Sequence, residues 1–139
     1  MRITVLGATG MAGTAVVNEA LSRGHEVTAV SRRRCHRGGA RLTSRLLDVT
    51  DVEGVAGLLK DSDAAVVALR PPAGHESDLA QLTTAVLDAA SRNRTPLLII
   101  GGAAPLSSPT DPSTLAIDDP TIVPPAWRDV AQASLDQFW

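Results

Sequence analysis

The chain of 139 residues has no tyrosine, one lysine (Lys60), one cysteine (Cys35) and, as aromatic side chains, two tryptophans and one phenylalanine. Each scarcity removes a class of chemistry. Without tyrosine, no phenolic acid is available from these residues. A lone cysteine forms no internal disulfide and offers no cysteine pair to zinc, which suits a reducing compartment and points to the cytoplasm. His25, His36 and His75 are scattered, so no metal constellation is expected. No run approaches the roughly 20 apolar residues that span a bilayer, and the opening MRITVLG is too short for a signal-peptide core. A formal net charge of -2 gives no general attraction to nucleic acid or to an anionic membrane, so any anion site has to be local.

What is present is globular. Hydrophobic residues make up 44% and charged residues 20%, and the length suits one domain over 1–139. Short Val- and Ile-rich runs recur at 3–6, 27–30, 64–69 and 97–100, with a weaker one at 45–49. Their lack of alternation predicts strands covered on both faces. Between them lie helical patterns. Residues 11–23 set Ala12, Ala15, Val16, Ala20 and Leu21 on one side, with Gly24 as the stop; Asp51 caps a helix over 52–60; and residues 76–92 align Leu79, Leu82, Val86 and Ala90. Strand and helix thus alternate, which predicts an α/β fold with a parallel sheet covered by helices on both faces. With the glycine turn that follows the first strand, the expected form is a Rossmann-like, doubly wound parallel sheet of five strands in the order 3-2-1-4-5. Residues 102–125 hold six of the nine prolines and read as an irregular loop, either a binding loop or a plain solvated connector. A terminal amphipathic helix over 126–138 is expected to set Trp127, Val130, Ala131, Leu135 and Phe138 on one face. Asp118 and Asp119 in the loop read as capping or solvated carboxylates, with the orienting of a substrate or a water as the alternative.

"VLGATGMAGTAVV", residues 5–17, places Gly7, Gly10 and Gly13 directly after the first strand. In a strand-turn-helix unit the first glycine allows the tight turn, the second lets backbone approach a pyrophosphate, and the third lets the helix pack close to the strand. The positive end of the helix then receives the phosphates without help from a lysine. The alternative is a purely structural glycine turn. A P-loop is excluded, since G-x-x-x-x-G-K-[ST] is missing.

The second strand ends in "VSRRR". An acidic residue there would hold the ribose hydroxyls of NAD, whereas arginine accommodates the 2′-phosphate of NADP. Arg32 is the candidate, and NADP(H) is expected over NAD(H). Arg34, Arg37 and Arg41 read as a solvated basic loop.

"VLGATGMAG" after the first strand, "RGHEVTAVSR" through the second, "DVTD" after the third, "DAAVVALRPP" at the fourth and "LLIIGGAAPL" at the fifth resemble the atypical short-chain dehydrogenase/reductases of the NmrA-like, NAD(P)H-binding type, which include flavin and biliverdin reductase-like proteins. The resemblance implies that Gly7, Thr9, Gly10, Met11 and Gly13 line the pyrophosphate and that Arg32 and Arg33 take the 2′-phosphate. It further implies that Asp48 and Val49 approach the adenine, with helix capping as the alternative for Asp48. Ala68, Leu69 and Arg70, together with Gly101, Gly102 and Ala103, would flank the ribose and nicotinamide.

Two departures from that group stand out. Its wider superfamily uses a Ser-Tyr-x-x-x-Lys arrangement, which a chain without tyrosine does not supply. Relatives also typically continue past the final helix, so the substrate side is expected to be incomplete or to be completed by a partner, and Phe138 and Trp139 suggest self-association through the terminal helix. His75, in "RPPAGHES", is a candidate acid, with a merely solvated loop histidine as the alternative. Trp127 is expected to cover a pocket or pack on the sheet. The function expected is an NADPH-dependent reductase of a small conjugated or flavin-like acceptor. A nucleotide sensor or degenerate scaffold, and a non-redox isomerase or cyclase, are the alternatives.

Overall fold

The computed structural model describes residues 1–33 and 39–138; Arg34, Cys35, His36, Arg37, Gly38 and Trp139 lie outside the described residues. The elements run β1 (Arg2–Leu6), α1 (Met11–Ser22), β2 (Glu26–Ser31), β3 (Leu42–Leu46), α2 (Val52–Lys60), β4 (Ala64–Val67), α3 (Asp78–Asn93), β5 (Leu97–Ile99) and α4 (Arg128–Phe138). All neighbouring strands pair in parallel, in the order β3-β2-β1-β4-β5. This is the doubly wound arrangement expected from the alternating pattern.

The chain divides into two compact units, Met1–Arg70 with Thr84–Ile100 and Pro71–Thr83 with Gly101–Trp139. The first contains the sheet. Leu6 is opposite Val30 on one side and Val67 on the other, so these three share a sheet face, where α2 and α3 bury Val55, Leu59, Val86, Ala89 and Ala90 against them. Val5 and Ala29 face the other way and meet Val17 and Ala20 of α1. Two apolar layers therefore sandwich β1, and its Thr4 is satisfied inside by a 2.7 Å hydrogen bond with Ser62 Oγ.

The helix ends are written locally. Asp51 accepts the Gly54 N–H at 3.0 Å and starts α2, with Glu53 in the first turn and Lys60 in the last. After α1, Gly24 at φ +82° lets its own N–H reach Leu21 O while the His25 N–H reaches Ala20 O. After α3 the same two bonds form, from Arg94 to Ser91 O and from Thr95 to Ala90 O, but the residue at positive φ is Arg94 (φ 54°).

In the second unit the long segment is ordered by its own hydrogen bonds. Ser107 and Leu115 form an antiparallel bridge, flanked by Ala116 N–H to Leu106 O at 2.7 Å and Ser108 N–H to Thr114 O at 2.8 Å. A short 3-10 turn follows at Ala116–Asp118, and another at Pro125–Trp127 leads into α4.

Several expectations need correction. The third strand is Leu42–Leu46 rather than 45–49, because its partner β2 sets its length, and as an edge strand with four exposed residues it carries no apolar run. The fourth ends at Val67, where Gly7 begins to crowd the Ala68 carbonyl. β5 is also an edge, and its Leu98 is exposed rather than covered. In α1 the buried line is Gly13, Val17 and Ala20, while Ala15 is exposed, because Gly13 is the point of contact with the strand turn. In α4 only Ala133 is fully buried; Trp127, Val130 and Phe138 are exposed, so the apolar stripe read from periodicity is not the face that packs.

Candidate functional site

The turn after β1 leaves the sheet at the carboxyl ends of its strands. Gly7 adopts φ +85°, a region that favours glycine, and its N–H and that of Ala8 both donate to Val30 O at 3.0 Å. A Cβ on Gly7 would run into the Ala68 carbonyl, and one on Gly13 into the Gly7 carbonyl. Both glycines are therefore required by the fold itself. Gly10 is different. Its φ of -73° suits any residue, and a Cβ there would meet nothing closer than Gly7 O at 3.4 Å. Among the described residues nothing crowds this position, which is the N-cap of α1; what it leaves is open backbone at the mouth of the helix, with no side-chain cap over the first turn. Such a mouth presents outward N–H groups and a positive dipole end, which is an anion receptor by construction.

The structure brings further expected residues to the same end of the first unit. Thr9 and Met11 flank Gly10 and are exposed, Met11 at 93%. Ala68 and Leu69 lie against Gly7 and are half-buried, with Arg70 exposed after them. At the end of β2, Ser31 is buried, and its hydroxyl donates to the Arg33 carbonyl, closing the turn that carries the exposed Arg32 and Arg33. Sequence reasoning missed Ser31; a hydroxyl residue directly before the arginines was the available signal.

Asp48 is exposed one strand further out, and Val49 beside it is half-buried. The Asp48 carboxyl accepts the Thr50 N–H at 3.0 Å and the Thr50 hydroxyl at 2.9 Å. These two bonds hold it below the usual carboxylate range, and the Arg32 guanidinium acts in the same direction against desolvation. Asp48 thus shapes the turn into α2, but the cap itself is Asp51.

Gly101, Gly102 and His75 belong to the second unit. There the Gly102 N–H donates to Ser134 Oγ of α4 at 2.8 Å, and a Cβ on Gly102 would strike that hydroxyl. His75 Nδ1 lies 3.3 Å from Asp78 Oδ2 in an exposed pair at the start of α3. Asp119 is neither solvated nor a cap of the simple kind: it is 8% exposed and accepts hydroxyls from Ser108 at 2.6 Å, Thr110 at 2.7 Å and Thr121 at 2.6 Å. Those bonds drive its carboxyl far below the usual range. Arg128 holds Asp118 at 3.1 Å and Ile117 O at 3.0 Å.

A cavity of about 270 Å³ opens at the opposite, amino-terminal end of the strands, lined by residues such as Arg2, Glu26, Arg41, Arg45 and Asp61. Ligands of open parallel sheets sit outside the carboxyl ends, so Gly10 and not this cavity marks the expected site. Among the described residues, no three His, Cys, Asp or Glu side chains come together as a metal group, and no helix is long and apolar enough to cross a membrane.

A doubly wound parallel sheet whose first turn exposes a glycine backbone at a helix mouth defines a nucleotide-binding class of α/β protein. Within that class the chain belongs to the NAD(P)H-binding family, whose model matches residues 7–134. It is 32% identical over 126 residues to the uncharacterized protein YwnB of Bacillus subtilis (strain 168), a match covering 86% of this chain and 56% of that protein. It is also similar to the crystal structure of a candidate NADH-flavin reductase from Streptococcus pneumoniae TIGR4, with a TM-score of 0.83 at 27% identity, covering 99% of this chain and 63% of that one. A candidate epimerase from Bacteroides thetaiotaomicron gives a TM-score of 0.86 at 27% identity, covering 99% and 62%. The chain spans a little over half to under two thirds of the length of these proteins.

Proposed function

We propose that residues 1–139 serve as one NAD(P)H-binding domain of an oxidoreductase that reduces a small conjugated or flavin-like acceptor. The observation that supports this reading is Gly10: the fold explains Gly7 and Gly13, whereas a Cβ on Gly10 would meet nothing closer than Gly7 O at 3.4 Å, and the open backbone it leaves at the mouth of α1 suits an approaching ligand. In this reading the N–H groups at the start of α1 hold the diphosphate, with Thr9, Gly10 and Met11 around it, and Gly7 and Gly13 bring strand and helix close enough to form that mouth. Arg32 and Arg33 take the 2′-phosphate, which favours NADP(H), and the Asp48 carboxylate accepts from the adenine amine beside Val49. Ala68, Leu69, Arg70, Gly101 and Gly102 are assigned to the ribose and nicotinamide half, and His75 to proton supply, its imidazole oriented by Asp78. When bound, the nicotinamide supplies hydride, so the protein has to supply only orientation and a proton. The flavin-reductase name of one structural neighbour supports the acceptor class; the epimerase name of another supports a second reading in which the same dinucleotide site serves an isomerisation. The cytoplasm as compartment, and self-association through α4, whose Val130 and preceding Trp127 are exposed, complete the proposal.

Titration with NADPH and NADH, followed by cofactor fluorescence, tests it. Saturable NADPH binding with oxidation by flavin or quinone acceptors is the expected outcome. Binding without such oxidation would favour the isomerase reading, and no binding of either dinucleotide would overturn both. Arg32→Ala should weaken NADPH at least about tenfold while leaving NADH nearly unchanged.

A further inference from the structure

Asp48 and Arg32 leave the ends of two adjacent strands. Ser31 is opposite Leu46 in the β2–β3 ladder, and the Leu47 N–H donates to Ser31 O at 3.2 Å, so Arg32 and Asp48 each follow directly on a residue of that bond. Leu47 and Val49 pack against the core on the α2 face, and the intervening Asp48 is turned outward and exposed. Both Thr50 bonds fall on Oδ1, so among the described residues Asp48 Oδ2 has no hydrogen-bond partner. Arg32 makes no ion pair within 4.0 Å among the described residues, while the buried Ser31 hydroxyl fixes the turn it stands on.

We propose that Asp48 sets how strongly this protein distinguishes a phosphorylated from an unphosphorylated adenosine ribose, because its carboxylate competes with the ligand's 2′-phosphate for the Arg32 guanidinium. The inference rests on the cofactor reading above. The adjoining strand ends bring the two charges near one another without a direct ion pair, and their attraction is weaker than the hold of Thr50 on the Asp48 carboxyl. A 2′-phosphate arriving at Arg32 meets a guanidinium whose field Asp48 partly offsets, and is itself repelled by that carboxylate. An unphosphorylated ribose meets neither effect. The pair is exposed, so the discrimination lost to Asp48 is modest and is screened by salt.

The test uses adenosine 2′,5′-bisphosphate and 5′-AMP as probes, because they differ by the 2′-phosphate and any contact of Asp48 with adenine cancels in their ratio. Dissociation constants are measured by calorimetry for the wild-type chain, Asp48→Asn, Asp48→Glu, Arg32→Ala and the Arg32→Ala/Asp48→Asn double variant. Asparagine keeps an acceptor for both Thr50 bonds, and thermal unfolding checks that it folds. Asp48→Asn should raise the preference for the bisphosphate roughly two- to fivefold at low salt. The gain should shrink at high salt, be absent in Asp48→Glu, and fall markedly once Arg32 is gone. An unchanged preference in Asp48→Asn, or an equal gain with and without Arg32, would overturn the inference while leaving the cofactor reading intact. If neither the two probes nor NADPH and NADH bind the wild-type chain, the cofactor reading falls and this inference with it.

Discussion

Gly13 stands so close to Gly7 that a methyl group on the helix residue would occupy the space of the turn residue's carbonyl oxygen. The third residue of the set, Gly10, has no such neighbour, and under the proposed reading this asymmetry separates folding from binding within one motif. Gly13→Ala should force the helix off the strand and destabilise the protein by about 1–3 kcal/mol, the usual cost of overpacking. Gly10→Ala should cost less, about 1 kcal/mol at most, since the loss of a preferred helix cap is partly offset by alanine's more restricted unfolded chain. Its affinity for NADPH should nevertheless drop about tenfold or more. Thermal unfolding and dinucleotide titration of the two variants check the contrast; equal stability losses would mean that Gly10 too is a structural residue.

Arg94 occupies the position after α3 that Gly24 occupies after α1, with the same pair of closing hydrogen bonds and the same sign of φ. A side chain in this left-handed region costs about 1–2 kcal/mol, part of which glycine gives back through its freer unfolded chain. Arg94→Gly should therefore stabilise the protein by about 0.5–1 kcal/mol, seen as a raised denaturation midpoint with an unchanged slope. The residue is exposed and makes no ion pair among those described, so little is lost with the side chain.

Legibility in the sequence followed the range over which each feature is encoded. α2 spans the residues expected because its cap, Asp51, lies next to its first turn and needs no tertiary partner. The parallel sheet followed from alternation and crossover handedness, and its strand order from the dinucleotide-binding pattern of the glycine turn. β3 was misplaced because Thr43, Ser44 and Arg45 are held by β2 rather than by burial, and an edge strand carries no apolar signature. The packed face of α4 was misread because periodicity reveals a stripe but not whether a small residue such as Ala133 makes the contact. Of the candidate site, the glycine turn and the arginines after β2 were legible since each is one local segment. The bond from the Ser31 hydroxyl to the Arg33 carbonyl has no periodicity to mark it. The Asp119 cluster gathers hydroxyls from eleven residues upstream to two downstream with no period to announce it.

That cluster makes the second unit sensitive to acid. A carboxyl held low in the folded state stabilises fully above its unfolded value, and the contribution is lost as the pH falls toward the folded one. Asp119 should therefore contribute undiminished at pH 7 and progressively less below about pH 4. Asp119→Asn should be less stable than the wild type at neutral pH, and the gap in Tm should narrow on acidification. A gap that stays constant from pH 7 to about pH 3 would assign the cost to lost geometry rather than to lost charge.

Within the second unit, Thr83 ties the first turns of α3 to α4. Its buried hydroxyl donates to Leu79 O at 2.8 Å within α3 and accepts the Gln137 Nε2–H of α4 at 2.9 Å. Valine has nearly the same shape but no acceptor, so Thr83→Val would leave the Leu79 carbonyl with its helical bond and strand the Gln137 amide. The expected cost is about 1 kcal/mol, the net worth of such a bond. Because Gln137 lies in the last turn of α4, the loss should appear first as faster amide exchange and earlier proteolysis in that helix, ahead of the sheet strands. Adding Gln137→Leu to Thr83→Val removes the stranded amide and should recover part of the stability, whereas a purely steric role for Thr83 predicts no recovery.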